Sequence, residues 1–277
     1  MTAVAAGLTT SESFGHPLKT VREEVAKCMG LASSFLRPEC QAVLASAVDR
    51  LVARMTEQQQ LINAMDDGTA VATADAGGDV EMTDAEPLTE NGVEVTRDGN
   101  GVEVTLKEAQ ESRKKQRSRE GESLSRWVTL VQWNGESRAF GHTLGSLLPV
   151  LFDSVDDSDQ DRVDHARQAL SLAAQARLDA DDLSRVIAVC VATTQSTKWR
   201  VRSAVLPYLQ VIGFTRLFVA RPADLAALLD AVVGLLADDQ QDVREAAAHT
   251  LVPLLRDAPP AAVDALRASF LNRAKRT

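Results

Sequence analysis

Residues 196–256 read STKWRVRSAVLPYLQVIGFTRLFVARPADLAALLDAVVGLLADDQQDVREAAAHTLVPLLR, and this stretch contains one pattern twice. In each copy a polar turn leads into a Val-Arg pair and then into a long run with apolar residues at helical spacing. The pairs, Val201-Arg202 and Val243-Arg244, lie about 42 residues apart, which is the length of a two-helix HEAT or armadillo unit. The stretch therefore predicts an architecture and says nothing direct about chemistry.

The repeated pattern predicts an all-α protein, an α-solenoid of HEAT/armadillo-like helix pairs. One helix pair cannot bury both of its apolar stripes, so such units stack into arrays with a continuous core. We expect Arg202 and Arg244 to reach an aspartate-containing turn of the adjacent unit and form a ladder along the stack, with partner binding as the alternative role. The predicted repeat positions are Val21, Arg22, Trp199, Val201, Arg202, Asp242, Val243 and Arg244.

Composition limits the functions open to the chain. It has 277 residues, a formal net charge of −9 and few aromatic residues, at 4%. The negative charge argues against general affinity for nucleic acid or anionic membranes. No apolar run approaches the roughly 20 residues needed to span a bilayer. The three cysteines form no C-x-x-C pair, so we expect three reduced thiols.

Changes in composition divide the chain into four parts. Residues 1–15 are small and polar and are predicted to be disordered, and residues 16–65 carry HEAT-like helices. Residues 66–105 combine many acidic residues with Gly, Ala and Thr, which predicts a disordered acidic insertion. Within it, the two VEVT copies between Gly92 and Thr105 could instead form a short hairpin. Residues 106–277 return to HEAT-like repeats.

A search for catalytic or metal-binding motifs yields none. The histidines, at positions 16, 142, 165 and 249, lack metal-ligand spacing with one another or with cysteine. No Gly-rich phosphate loop and no nucleophile elbow is present. The carboxylates gather in acidic loops, where a solvated surface is the default interpretation. The sequence therefore predicts a protein that is not an enzyme and uses no cofactor and no metal.

Two further features have competing interpretations. Trp127, Trp133 and Trp199 could form a partner-binding face, although helix packing is the preferred interpretation. The basic cluster follows the acidic insertion and resembles a nuclear localisation signal, the alternative being a charged helix surface. The residues of this cluster are Arg113, Lys114, Lys115, Arg117 and Arg119.

The repeats resemble the C-terminal HEAT region of the subunit 4 family of proteasome activators, very large single-chain proteins that cap the 20S proteasome. The resemblance rests on the block from Trp199 to Phe218, with its Tyr208-Leu209-Gln210 segment, and on the Val243-Arg244-Glu245 block. HPLKTVRE, from His16 to Glu23, is similar to a family segment that also lies upstream of these repeats, so the order is the same. The resemblance covers most of residues 16–256 and breaks at the acidic insertion.

This resemblance implies a scaffold that docks on the α-ring of the 20S core particle and opens its gate without ATP. It implies ubiquitin-independent degradation of peptides and of unfolded or acetylated proteins, including histones, a link to DNA repair, and a location in nucleus and cytoplasm. Two departures matter. The family's C-terminal tail with adjacent tyrosines has no counterpart, since Tyr208 is the only tyrosine. The Asn-Phe pair of the family's acetyl-lysine region is replaced by Asp257-Ala258, so we assign no acetyl-lysine site.

Two identities follow. In the first, the chain is a fragment or truncated product of such an activator, which cannot open the gate without the missing tail. In the second, it is a stand-alone HEAT-repeat adaptor that binds a helical or peptide partner.

Overall fold

The structure is a computed structural model of the whole chain. It describes residues 10–35, 38–66, 89–90, 93–97, 103–131 and 140–256, with residues 260, 263–264, 267–268 and 271. The helices are α1 (Ser11–Phe14), α2 (Lys19–Phe35), α3 (Pro38–Asp66), α4 (Leu106–Leu130), α5 (Leu144–Ser154), α6 (Gln160–Ala173), α7 (Ala180–Thr193), α8 (Trp199–Thr215), α9 (Pro222–Leu235) and α10 (Gln241–Arg256). A 3-10 turn at Leu217–Val219 joins α8 to α9.

The helices stack in two layers. In one layer α3 packs on α5, α5 on α7, and α7 on α9. In the other layer α2 packs on α4, α4 on α6, α6 on α8, and α8 on α10. Successive helices of the chain alternate between the layers from α4 to α10, as they do in HEAT and armadillo arrays. The fold is therefore the predicted α-solenoid, and all three helices that begin with a Val-Arg pattern lie in the same layer.

One apolar core runs between the layers from Phe14 to Leu254. Aliphatic side chains dominate it, with a few aromatic pairs. The rings of Trp127 and Phe140 pack edge to face with centroids 5.6 Å apart, and those of Phe152 and Tyr208 do so at 5.7 Å. The buried indole N–H of Trp127 donates to the Ser33 hydroxyl at 2.9 Å, which satisfies its only donor.

Aspartates begin two of the helices, as their positions in the sequence suggest. Asp159 precedes α6 and accepts a hydrogen bond from the Asp161 N–H at 3.0 Å. Asp179 precedes α7 and accepts one from the Asp182 N–H at 2.8 Å. Each carboxylate satisfies an N–H group that the first turn of a helix leaves without a partner.

Two glycines set the spacing between helices of the same layer. A Cβ atom added at Gly30 of α2 would lie 2.5 Å from the Leu130 Cβ of α4. One added at Gly213 of α8 would lie 3.1 Å from the Pro253 Cβ of α10. At Gly30 any side chain would displace Leu130 and its helix, whereas at Gly213 an added methyl group would require Pro253 to shift by a few tenths of an ångström.

The described part of residues 66–105 differs from a fully disordered insertion. It contains the strands β1 (Thr89–Glu90), β2 (Val93–Arg97) and β3 (Glu103–Thr105), paired antiparallel in the order β1-β2-β3. Val95 lies opposite Thr105 and Arg97 opposite Glu103, so the two VEVT copies form the hairpin that the sequence left open. Residues 67–88, on which the prediction of disorder also falls, lie outside the described residues, as do 1–9.

The predicted helix positions hold with small shifts at the ends. Pro17 suits the first turn of a helix, which predicts a helix start at this position. Helix α2 begins two residues later, at Lys19, and Arg22 donates to the carbonyls of His16 and Pro17 in the preceding turn. The apolar run that ends in LGSLLPVLF predicts a helix over about residues 138–152. Helix α5 occupies Leu144–Ser154, and residues 132–139 lie outside the described part.

Candidate functional site

The three Val-Arg arginines share one local hydrogen-bond pattern, which we call the arginine ladder (Arg22, Arg202 and Arg244). In each case Nη1 donates to the backbone carbonyls six and five residues earlier. The acceptors are His16 and Pro17 for Arg22, Ser196 and Thr197 for Arg202, and Asp238 and Asp239 for Arg244, at 2.7–3.2 Å. These carbonyls belong to the turn before each helix. The arginine thus donates hydrogen bonds to turn carbonyls that lie outside the regular backbone hydrogen bonding of a helix.

Two of these arginines also bind a carboxylate of the next element in their layer. Arg202 contacts Asp238 with two hydrogen bonds, Nε to Oδ2 at 2.6 Å and Nη2 to Oδ1 at 2.9 Å. Arg22 donates through Nη2 to Oε2 of Glu122 at 2.6 Å. The first pair joins α8 to the turn before α10, as the ladder hypothesis expects. The second joins α2 to the interior of α4, which the sequence did not predict.

Asp238 connects two repeat units. Its side chain accepts from Arg202 and from the Gln240 N–H, and its carbonyl accepts from Arg244. The hydrogen bonds from Arg202 hold the pKa of the Asp238 carboxyl below its usual value, against a smaller opposing effect of burial. The carboxylate side chain is 5% exposed, so this charged pair is largely removed from water.

The predicted ladder contact of Arg244 with a following unit stays a prediction, because the residues after α10 lie outside the described part. Among the residues that the structure describes, Arg244 makes its carbonyl bonds and no ion pair. Residues 257–259, which come next in the chain, are not among the described residues. In the sequence Asp238, Asp239 and Asp242 precede or begin α10, which predicts that they can cap its free N–H groups. Asp242 is an exposed residue of the first turn, where its negative charge is favourable at the positive end of the helix dipole.

The other predicted repeat positions divide into buried and exposed residues. Val201 and Val243 lie in the core, and Val21 is half-buried. Trp199, the first residue of α8, is 38% exposed, with the Arg200 guanidinium 5.5 Å from its ring centroid. Helix packing accounts for Trp127 but leaves part of Trp199 at the surface. Trp133 lies outside the described residues.

The buried Glu122 is the main site residue that the sequence analysis missed. Arg22 and Arg126 both contact it, and Arg162 of α6 lies 3.5 Å away. Its side chain is 3% exposed, and burial alone would raise its pKa. The two arginines nevertheless hold the pKa of Glu122 below its usual value. The signal available in the sequence was a glutamate within the apolar part of α4, three residues from Ser125 and five from Trp127.

The acidic run Asp153 to Asp161 was expected to be a solvated turn, and this prediction is wrong for its first members. Asp153 contacts Arg117 and Lys198, both at 2.8 Å, and Asp156 contacts Lys198 and Arg200. Although burial alone would raise the pKa of Asp153, Arg117 and Lys198 hold it below its usual value. The run therefore links α4, α5 and α8 by ion pairs, because the stack brings basic residues of non-adjacent helices against it.

The basic cluster lies along one helix, α4. Arg117 is engaged by Asp153 and only 14% exposed, while Lys114 and Lys115 are exposed and Arg113 and Arg119 are half-exposed. A receptor that reads an extended peptide would have to unwind this part of α4. Lys114 and Lys115 are thus accessible side by side on the helix surface, whereas the ion pair with Asp153 makes Arg117 less accessible.

A cleft of about 370 Å³ separates α6 from α8 in the layer that carries the arginine ladder. Trp199 lies at one end of its α8 wall and Val211 at the other. We call this the α6/α8 cleft; its lining residues are Val155, Arg167, Leu170, Ser171, Trp199, Arg200, Ser203, Ala204, Pro207, Tyr208 and Val211.

Within the described residues no cluster of three or more His, Cys, Asp or Glu side chains is arranged to hold a metal ion. No helix in the same part of the chain is long and apolar enough to cross a membrane. The pronounced chemical features of these residues include ion pairs and the α6/α8 cleft, which suit a binding or scaffolding surface.

Sequence comparison relates the chain to large proteasome activators. It is 33% identical over 140 residues to proteasome activator complex subunit 4A of Danio rerio, which is 46% of this chain and 8% of the fish protein. It is 32% identical over 140 residues to proteasome activator complex subunit 4 of Homo sapiens, with 48% and 8% covered. A plant relative, proteasome activator subunit 4 of Arabidopsis thaliana, is 34% identical over 74 residues, which are 27% of this chain and 4% of that protein.

The chain thus matches less than a tenth of the length of these relatives. No family model matches it. Solved structures that align with it include a designed armadillo repeat protein, at 9% identity and a TM-score of 0.40, covering 96% of this chain and 87% of that one. Another is the MAST/Orbit N-terminal domain, at 15% identity and a TM-score of 0.38, covering 90% and 98%. Alignments at these scores support no conclusion about function.

Proposed function

We propose that this chain is a non-catalytic repeat segment of a proteasome activator of the subunit 4 type. The observation that carries the proposal is the similarity, at 32–34% identity, to activators of a fish, a human and a plant. The α-solenoid is the architecture that such a scaffold requires. A stack of repeats held by buried ion pairs supports a mechanical role, since each unit is fixed to its neighbour.

The complete activator would bind the α-ring of the 20S core particle and promote degradation of proteins without ATP or ubiquitin. Acetylated histones would be among its substrates, and DNA repair among its roles. It would act in both nucleus and cytoplasm. For the nuclear part, the support within this chain is limited to the exposed lysines Lys114 and Lys115 of the basic cluster.

The test uses the product of the whole open reading frame that contains this segment. Purified with 20S particles, it should co-sediment with them and raise hydrolysis of a fluorogenic peptide in the absence of ATP. A variant with Arg202→Ala and Asp238→Ala should lose much of this stimulation because it uncouples two repeats. The matched control carries Arg221→Ala and Asp181→Ala, an exposed pair that also joins neighbouring units. If the unmodified product leaves 20S hydrolysis unchanged, the proposal is wrong.

The second candidate is a stand-alone HEAT-repeat adaptor that binds a helical or peptide partner. The observation in its favour is the α6/α8 cleft, which Trp199 lines with part of its side chain exposed. An array with only a structural role would not need an open cleft between two of its helices. The flanking genomic sequence separates the two candidates. A continuous reading frame on both sides that encodes further repeats would contradict the adaptor.

A further inference from the structure

The α6/α8 cleft has the volume of a small binding site. Its 370 Å³ lies at the lower end of the range typical of ligand pockets, and it is large enough for one aromatic or leucine side chain. The space exists because the facing side chains are small. Ser171 of α6 and Ser203 and Ala204 of α8 supply little volume between the two helices.

Pro207 adds a hydrogen-bond acceptor to the wall of this cleft. A proline within a helix has no N–H to donate to the carbonyl four residues earlier, which here belongs to Ser203. Tyr208 also lines the cleft, and its buried hydroxyl has no hydrogen-bond partner among the described residues. This hydroxyl is buried and interacts with the buried Cys190 of α7, which does not line the cleft. The Ser203 carbonyl is therefore the polar group that the cleft offers an occupant.

The charge at the cleft is positive, in contrast to the chain as a whole. Arg167 and Arg200 line it, and its lining residues include no carboxylate. Arg167 and Arg200 are each more than half exposed, and their ion pairs are long, at 3.6 Å to Asp164 and 3.5 Å to Asp156 respectively. Arg200 also lies over the ring of Trp199. Exposed pairs of this kind are weak, so both guanidinium groups can exchange their present partners for others.

We propose that the α6/α8 cleft binds a short acidic peptide segment. One apolar side chain of the peptide, aromatic or leucine, enters the cleft beside Trp199 and Pro207. Carboxylates on either side of it pair with Arg167 and Arg200. The proposal does not depend on the proteasome role, since it concerns this chain's own surface and its test contains no 20S particle.

The test measures fluorescence anisotropy of labelled peptides with the purified 277-residue chain. The probe is fluorescein-labelled Asp-Glu-Phe-Glu-Asp, which should bind saturably. Replacing its phenylalanine with alanine should weaken binding at least tenfold, because the cleft is then left empty. A peptide in which lysine replaces all four acidic residues should bind at least tenfold more weakly than the acidic probe.

Variants of the chain locate the site. Ser203→Trp fills the cleft and should abolish binding, while Arg167→Glu and Arg200→Glu should each weaken it about 5- to 10-fold. Arg185→Glu is the matched control, because Arg185 is as exposed as the two cleft arginines and lies outside the cleft; its effect should stay within about twofold. Circular dichroism and thermal melting show that each variant keeps the fold.

Four results would overturn the proposal. The first is absence of saturable binding by the acidic probe. The second is equal or tighter binding of the lysine peptide, which would indicate a basic partner. The third is unchanged binding in the folded Ser203→Trp variant, which would place the peptide elsewhere. Light scattering adds a fourth, since self-association that Ser203→Trp removes would make a second copy of the chain the occupant.

Discussion

The contact between Arg202 and Asp238 should be a main source of coupling between neighbouring repeats, and a double-mutant cycle can measure it. Asp238→Ala removes two charge-assisted hydrogen bonds and leaves a guanidinium that keeps its bonds to the Ser196 and Thr197 carbonyls. This loss should cost about 3 kcal/mol of the free energy of unfolding. Arg202→Ala also removes the carbonyl bonds and leaves a carboxylate side chain 5% exposed without its counterion, for about 4 kcal/mol.

The double variant should lose about 5 kcal/mol, which leaves a coupling energy of about 2 kcal/mol between the two side chains. The assay is urea unfolding of the full chain at pH 7, followed by circular dichroism at 222 nm. The control cycle uses Arg221 and Asp181, which join α9 to α7 across a similar sequence distance but are both more than half exposed. Their coupling should stay below about 0.5 kcal/mol.

The pH dependence gives an independent check on the same contact. The pKa of Asp238 is lower in the folded chain than its ordinary value of 3.8. Its stabilisation is therefore complete above that value and is lost as the pH falls through the folded-state pKa. The difference in stability between the unmodified chain and Asp238→Asn should be constant near neutral pH and shrink in acid. A coupling energy no larger than that of the exposed pair, or a difference that grows in acid, would refute the reasoning.

Three further predictions concern the core. Glu122→Gln should cost about 3 kcal/mol at pH 7, because the buried Arg22 loses its carboxylate partner and Arg126 keeps only Glu23. The cost should disappear in acid, as the pH falls through the lowered pKa of Glu122 and its carboxyl is protonated in the unmodified chain; thermal melts at several pH values measure both effects. Gly30→Ala should cost about 2 kcal/mol in urea unfolding, whereas Gly145→Ala, whose added Cβ would meet nothing closer than 3.5 Å, should be neutral or slightly stabilising. A thiol reagent should modify Cys28 in the native chain and spare Cys190, which is buried and whose pKa burial raises; peptide mapping of native Cys190 adducts would contradict this.

The sequence was sufficient for the architecture because its main signal is local and repeated. Apolar spacing, polar turns and a 42-residue period each describe about one helix pair. They can therefore be recognised in the sequence without knowledge of which helices pack together. The stretch 196–256 predicted two Val-Arg helices with a third helix between them, over about residues 223–236, and the structure has α8, α9 (Pro222–Leu235) and α10 in that order. The sequence did not decide between a hairpin and disorder at β2 and β3, because the hairpin's turn signal competes with a composition typical of disorder.

The ion-pair partners could not be predicted because they depend on the stacking of distant segments. Arg22 and Glu122 are 100 residues apart, and Asp153 and Lys198 are 45 apart. When its basic partner is this far away in the sequence, an acidic residue is predicted to be solvated, because the sequence does not show that stacking brings the two together. The α6/α8 cleft is hidden for the same reason, because it is defined by small residues on two helices that are neighbours in space and not in sequence.

The two kinds of bond that each ladder arginine makes explain why the Val-Arg pair can serve as a repeated element. The carbonyl bonds fix the turn before a helix and depend only on local sequence, so every copy of the pair can form them. The carboxylate bond reaches the next element of the layer, so it forms only where a neighbour supplies an acid. Arg202 has both, and Asp238 passes the connection on by accepting from Arg244 through its own carbonyl. Local order in one unit is thereby made dependent on the next, which is the nearest-neighbour coupling that gives a repeat array its cooperativity.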